Sequence, residues 1–400
     1  MSFKDLLDKY KAGSASSEEA KLVEEELNKH EVIQDYLSEN YNLDFEKDIL
    51  EESTTKETTF VKKSVNKKLR KVILASVSIV FLTLFIIFCI ISPIINNLYY
   101  DPSKKTVGKD QQDLYFDLKV ITELNYPGYV LTGHTGTENL GFGVHNIYFQ
   151  RENLFTGETK EINTKIKRNR KIGLNQDFFP EDYFGFYVIK QRSSSEDKYF
   201  EEQRARVINH IKELNPVSYV SAYIIFEKDL SMDEFYELSR KYDNKIAFKW
   251  VAVRTQNEKV RAGDNGEPAS YMFGFNPNYN DGSITADKPD KSKYPNLQLV
   301  DWATDENNNK KFDMSEAYTT HFTSLLKYMN DREKTVTALD HNKFKTEYYR
   351  DSLQYIEKNG VRTYGVLLYS EARDLLKFIN NEKVKSIGID NVIPSKKFIP

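Results

Sequence analysis

Three quarters of the way along this 400-residue chain, six residues fall at the spacing of a calcium-binding loop. Asp305, Asn307, Asn309, Lys311, Asp313 and Glu316 occupy positions 1, 3, 5, 7, 9 and 12 of such a loop, and a helix is expected to follow. Hard oxygen donors at these positions suit Ca2+, and position 7 ligates through its carbonyl, so a lysine is tolerable there. Position 6 needs glycine for the sharp turn and is Lys310 here. The plainer reading is an acidic, Asn-rich loop that caps the next helix. The expectation is therefore no metal and no other cofactor, with calcium as the alternative.

Other searches for chemistry end sooner. The chain has no His-x3-His pair, and no Gly-x-Ser-x-Gly elbow surrounds Ser195, whose SSSED neighbourhood reads as a polar loop. Gly133, Gly136, Gly141 and Gly143 are followed by no Gly-Lys-Ser/Thr, so they read as hairpin turns rather than a phosphate-binding loop. The single cysteine, Cys89, lies in an apolar run, which excludes a disulfide scaffold and a cysteine-rich zinc cluster. An enzyme is not expected. Scattered carboxylates leave a wall-modifying or glycan-binding protein as the rival reading, and a structural envelope scaffold as a third.

The elements that would position any site are arranged around that apolar run. Val72 to Ile95 is 24 residues without a charge, and the uncharged stretch continues to Leu98. At about 1.5 Å per residue this is about 36 Å, enough to cross a hydrocarbon core of about 30 Å with some tilt. Lys62, Lys63, Lys67, Lys68, Arg70 and Lys71 precede the run, against Lys104, Lys105 and Lys109 after it. That asymmetry places the N-terminal side in the cytoplasm and the basic strip against lipid headgroups. Pro93 falls near the outer end, where a lost helix hydrogen bond costs least.

Five regions follow: 1–59, an acidic helical module; 60–71, the basic strip; 72–98, the transmembrane helix; 99–200, an extracytoplasmic β-rich region; and 201–400, an extracytoplasmic α+β domain. Residues 1–59 hold seven lysines against 16 acids, a net charge of −9. Phe3, Leu6, Leu7 and Tyr10 repeat at helical spacing, Gly13 stops that helix, and Ser16 with Glu19 has the form of a capping box. The next helix carries Ala20, Val23 and Leu27, then Ile33, Tyr36 and Leu37. Leu43, Phe45, Ile49 and Leu50 suggest a third short piece. So small a module buries little core, and its stripes either pack on each other or cover a partner. The acidic excess favours a basic protein partner over nucleic acid.

Beyond the span the basic and acidic residues balance, 44 against 44, so no polyionic ligand is indicated. Its many Tyr and Phe residues read as core or strand-surface residues. Leu114–Leu124, Tyr129–Thr132, Gly141–Arg151, Thr159–Arg168 and Phe184–Lys190 read as strands. A strand–helix–strand unit follows at Pro216–Glu227, Ser231–Tyr242 and Lys245–Arg254. It is echoed at Val361–Tyr369, Glu371–Asn380 and Lys383–Ile393. Helices at Ser315–Met329 and His341–Glu357 lie between the two units, and residues 256–300 read as a long loop. The expected architecture is a two-layer α+β domain of ferredoxin-like type.

The run FKDLLDKYKAGSASSEEAKLVEEELNKHEVIQDYL resembles the N-terminal segment of the sigma factor regulator family. SAYIIFEKDLSMDEFYELSRKY and TYGVLLYSEARDLLKFINNEKVKSIGIDNV resemble that family's C-terminal domain. The resemblance implies a single-pass membrane anti-sigma factor of Gram-positive bacteria that sequesters an extracytoplasmic-function sigma factor and senses envelope state outside. It implies that Phe3, Leu6, Leu7, Tyr10, Val23, Leu27, Tyr36 and Leu37 contact or organise the sigma factor. Membrane lipid and a second membrane regulator are further partners to expect, and direct nucleic-acid contact is not. Many anti-sigma factors carry a His-x3-Cys-x2-Cys zinc motif. His30 has no cysteine near it, so this is a zinc-free version and His30 reads as a helix-surface residue.

Overall fold

A computed structural model describes residues 3–41, 56–172, 194–256, 272–278, 287, 289–299, 314–339 and 345–396. The chain forms two compact units, Met1–Thr83 and Leu84–Pro400.

In the first unit, α1 (Phe3–Lys11) and α2 (Ser17–Tyr41) make a helical hairpin. Gly13 ends α1 in the left-handed region, with φ +69°, a conformation that costs glycine nothing. The capping box forms. Ser16 N–H donates to Glu19 Oε2 at 2.9 Å, and Glu19 N–H donates to Ser16 Oγ at 3.3 Å. The third helical piece expected from Leu43 to Leu50 lies outside the described residues.

Then comes α3 (Lys56–Phe85), a π-helical segment (Ile86–Ile91) and α4 (Ser92–Leu98). Within this run, Lys63–Leu98 is long and apolar enough to cross a membrane. Pro93 does more than end a turn. The Ser92 N–H reaches back to Ile87 O, five residues rather than four. A proline ring clashes with the carbonyl four residues before it, here Cys89, and one widened turn relieves the clash while α4 continues beyond.

In the second unit, α5 (Asp113–Asn125) is the central element. The strand expected at Leu114–Leu124 is this helix. Leu114, Phe116, Leu118, Val120, Ile121 and Leu124 are all buried, together with Asp113, Asp117 and Asn125. A helix apolar on nearly every side satisfies a two-residue and a four-residue repeat at once, so periodicity cannot separate helix from strand.

β1 (Tyr129–Gly141), β2 (Val144–Asn153), β3 (Thr159–Lys167) and β4 (Arg170–Ile172) form an antiparallel meander. Leu131, Ile147, Phe149, Ile162 and Ile166 point inward from it. Gly141 and Gly143 lie at the β1–β2 turn, as expected. Gly133 and Gly136 instead lie inside β1, at a register shift, where the Tyr148 ring covers Gly136. The expected strand at Phe184–Lys190 lies outside the described residues. The SSSED stretch is not a loop, since α6 (Ser194–Glu213) begins within it.

The second sheet contains β5 (Tyr219–Ser231), β6 (Ile246–Val253), β7 (Phe273–Phe275), β8 (Arg362–Glu371) and β9 (Val384–Ile393), in the order β7-β6-β8-β5-β9. All its pairings are antiparallel. With α7 (Met232–Lys241) and α11 (Ala372–Asn381) as crossovers, β5-α7-β6 and β8-α11-β9 are two interleaved split βαβ units, with β7 added at one edge. Ser231 caps α7 through a capping box with Glu234. Between the units run α8 (Met314–Asp331), α9 (Glu333–Leu339) and α10 (Lys345–Asn359). Residues from the meander, α5, the second sheet and α8 to α10 share one hydrophobic core. The regions expected as 99–200 and 201–400 are therefore packed together.

Candidate functional site

The helical hairpin holds all eight residues expected to meet a partner. Leu6, Leu7 and Tyr10 on α1 are half-buried, and Val23 on α2 is fully buried. Lys9 Nζ pairs with Glu19 Oε1 at 3.1 Å, and Tyr10 OH donates to Glu24 Oε1 at 3.1 Å, joining the helices across their polar edges. The Ser16 amide and then Lys9 hold the Glu19 carboxyl below its ordinary pKa. Past Val23, the apolar side chains of α2 lose cover: Leu27 is 46% exposed and Ile33 58%. The expected set therefore divides. Val23 organises the hairpin from inside, and Leu27 faces outward. Phe3, Tyr36 and Leu37 lie on these helices, with side chains outside the description.

A second constellation, not foreseen from sequence, lies within the second unit, where the end of the apolar helix packs on the β1–β2 turn. Ser92 is buried within that otherwise exposed helix. Its Oγ accepts the Phe142 N–H at 3.1 Å, and Asn96 Oδ1 accepts the Gly143 N–H at 2.6 Å. The Phe142 ring meets the Phe88 ring edge-on at 5.9 Å. Gly143, at φ +73°, permits the approach, because a Cβ there would stand 3.1 Å from the Tyr99 ring. The β3–β4 turn joins in, with Arg168 N–H donating to Gly143 O at 2.8 Å and Asn169 Oδ1 accepting Tyr100 N–H at 2.7 Å.

Behind this joint is a buried ionic centre. Asp117 on α5 is fully buried and accepts from Tyr100 OH at 2.8 Å, Tyr328 OH at 2.7 Å and Arg332 Nη2 at 2.9 Å. Asp113 accepts from the Thr106 and Val107 amides at 2.6 and 3.0 Å, and from Arg332 Nη2 at 3.3 Å. Burial, reinforced by the Asp117 charge, pushes the Tyr100 and Tyr328 hydroxyls well above the usual tyrosine range. Burial alone would lower Arg332, but Asp117, Tyr328 and Tyr100 together override it and the guanidinium stays charged. Removing either partner would leave a charge buried and uncompensated.

α5 carries further polar ties. Arg151 of β2 donates from Nε to Thr122 Oγ1 at 3.1 Å while its guanidinium stacks 3.7 Å over the Tyr126 ring. His321 places Nδ1 2.7 Å from Asn296 O and Nε2 2.7 Å from Glu123 Oε1. The buried ring thus bridges a backbone carbonyl and the Glu123 carboxyl group. Burial, the largest single influence, pushes the Glu123 pKa up, but His321, Lys119 and the Asn276 amide together outweigh it and the net shift is downward. His145 differs. It is fully buried in β2, and neither ring nitrogen has a hydrogen-bond partner among the described residues. Burial lowers its pKa, with Asp101 opposing.

Among the described residues no group of three or more His, Cys, Asp or Glu is placed to hold a metal ion. Residues 305–313 of the calcium candidate lie outside the description, and Glu316 is an exposed residue in the first turn of α8. An open cleft of about 820 Å3 beside α7 and α11 is lined by Arg240, Asp243, Lys245, Arg373, Asp374 and Lys377 among others. Its charges are mixed and select no single ligand class.

Among the described residues these features define one apolar helix able to cross a membrane, with a small helical module before it in the chain and a compact α+β unit after it. Residues 211–391 match the family described as sigma factor regulator C-terminal. That stretch runs from the last turn of α6 into β9 and is similar to the C-terminal domain of sigma factor regulators. No curated protein and no solved structure matches the chain.

Proposed function

We propose that this chain is a membrane-anchored anti-sigma factor. The α1–α2 hairpin faces the cytoplasm and holds an extracytoplasmic-function sigma factor, and the ferredoxin-like outer domain responds to envelope state. The observation that carries the reading is a stretch at 211–391 similar to sigma factor regulators, preceded in the chain by a membrane-length helix and, before that, an acidic hairpin. A sigma factor must present a basic face to promoter DNA, because phosphate contacts need cations. Residues 1–59, with net charge −9 and the uncovered Leu27 and Ile33, complement such a face. Inhibition is by occupancy: a sigma factor held at the membrane cannot engage core RNA polymerase. Release requires that an outer event change the affinity inside, which needs two states of the span or the hairpin with different affinities for the sigma factor.

The test is titration of the full chain, held in lipid nanodiscs, with the purified extracytoplasmic-function sigma factors of the same organism. Micromolar or tighter binding that falls more than tenfold with Leu27→Asp supports the reading. No heat and no co-elution at micromolar concentration with a folded sigma factor rejects it.

A further inference from the structure

The joint at the end of the span carries an inference about the outer unit itself. A hydrocarbon core of about 30 Å takes about 20 helical residues. Counted from Val72, the first residue after the basic strip, the far boundary falls near Ile91. Phe88 lies inside that boundary by about 5 Å of helix axis and Ser92 lies at it. Yet the β1–β2 turn touches both, through the Phe142 ring on Phe88 and the Phe142 N–H on Ser92. The turn therefore reaches down to the depth at which the helix enters lipid. What it carries there is apolar: Leu140, 43% exposed, and Phe142 between two glycines. Tyr99, at the matching level of the chain, is an aromatic of the kind that favours a membrane interface.

The neighbouring turn carries the complementary chemistry. Arg168 donates its N–H to Gly143 O, and its Nε lies 3.4 Å from Phe142 O, so the β3–β4 turn stands directly against the apolar tip. Around it Lys165, Lys167, Arg168 and Arg170 are exposed, and residues 162–172 contain no acid. This cluster of one sign stands out, because basic and acidic residues balance only over the whole region after the apolar run and acids exceed bases in the remainder. Cations beside an apolar wedge match the order of a bilayer surface, where phosphate lies above hydrocarbon.

We propose that these two turns form a foot on an anionic lipid surface, with Leu140 and Phe142 at the hydrocarbon boundary and Lys167, Arg168 and Arg170 among the phosphate headgroups. The occupant is a phospholipid bilayer, because the span itself delivers the foot to that depth. The inference rests on Lys63–Leu98 crossing a membrane and is independent of sigma-factor binding and of which side is cytoplasmic. The foot would hold the meander upright on the membrane and make its placement depend on headgroup charge.

The test uses the full chain in nanodiscs with Cys89→Ser and one new cysteine carrying an environment-sensitive dye. Leu140→Cys places the dye in the foot. Glu158→Cys places it in the β2–β3 loop, at the opposite end of the meander strands. Nitroxide-labelled lipids quench a dye that lies at the bilayer surface. In phosphatidylglycerol discs the dye at position 140 is expected to be quenched at least threefold more than at 158. That excess should shrink at least twofold in phosphatidylcholine discs. It should shrink likewise in anionic discs with Lys167→Glu, Arg168→Glu and Arg170→Glu combined. The lipid exchange needs no folding control. Equal quenching at 140 and 158 overturns the proposal. So does quenching at 140 that is indifferent to lipid charge. Loss of quenching on adding soluble polyphosphate would assign the cations to a free phosphate polymer and overturns the lipid assignment.

Discussion

The hydroxyl of Tyr100 donates to Asp117 at 2.8 Å, tying a residue two positions past the end of the apolar helix to the buried centre of the outer unit. The same carboxylate holds Arg332 and Tyr328 of the α8 end. The chain leaving the apolar helix is thus fastened to the core of the second unit within two residues.

That bond sets a first expectation. Tyr100→Phe removes one donor from a charged acceptor and should destabilise the outer unit by about 1.5–3 kcal/mol. Asp117→Ala strands Arg332 and should cost about 3–5 kcal/mol. Urea unfolding of the full chain in micelles, followed through buried Trp250, measures both. Equal midpoints for wild type and Tyr100→Phe would show that the tie carries no energy.

The hairpin sets a second. Leu27→Asp should leave helicity intact and weaken sigma-factor binding more than tenfold, since each 1.4 kcal/mol is about tenfold. Val23→Asp should lower helicity and binding together, because Val23 is fully buried between the helices. Circular dichroism paired with titration separates the two. Intact helicity in Val23→Asp would refute the packing described for it.

pH supplies a third, through His145. Its folded pKa lies below the ordinary value of 6.5, because burial opposes the charged ring. Below pH 6.5 the unfolded chain therefore binds more protons than the folded one. The stability this group contributes is present above that pH and is lost as pH falls toward the folded pKa. His145→Leu should flatten that part of the profile. A series of denaturation midpoints from pH 7.5 to 5 reads the slope. An unchanged slope would assign it elsewhere.

Topology is a fourth. A reporter enzyme that works only outside the cell should be active when fused after residue 110 and silent when fused after residue 60. The opposite pattern would reverse the orientation argued from the six cations before the span.

Much of this architecture is written locally in the chain. Ser16 with Glu19 and Ser231 with Glu234 announce their helices three residues ahead, and both boxes form. The echo of strand, helix and strand at the two ends of the second domain is likewise local, and it specifies the interleaved sheet. α5 was not legible as a helix, because burial on almost every side erases the stripe that identifies one. The Asp117 centre was not legible either. Its partners lie 17, 211 and 215 residues away, and nothing in the spacing of Tyr100, Tyr328 and Arg332 marks them as a set. The foot was hidden for a similar reason, since its two turns meet the apolar helix only in three dimensions. Glycines on either side of Phe142 were visible, but as turn formers rather than as clearance for a neighbouring helix.

The shared core has a consequence for cleavage. The stretch between β4 and α6 links elements on either side whose apolar side chains, such as Ile166 and Ile211, belong to the same buried cluster. A protease that cut once in that stretch would produce two chains still clasped by the core, and the nicked protein would keep its shape and its hold on the span. A cut between the apolar helix and α5 would leave Ser92 and Asn96 still bonded to the β1–β2 turn. Cutting the outer unit is therefore not the same as shedding it. Any pathway that relays a signal by proteolysis must also melt the core, or make its decisive cut within the span itself.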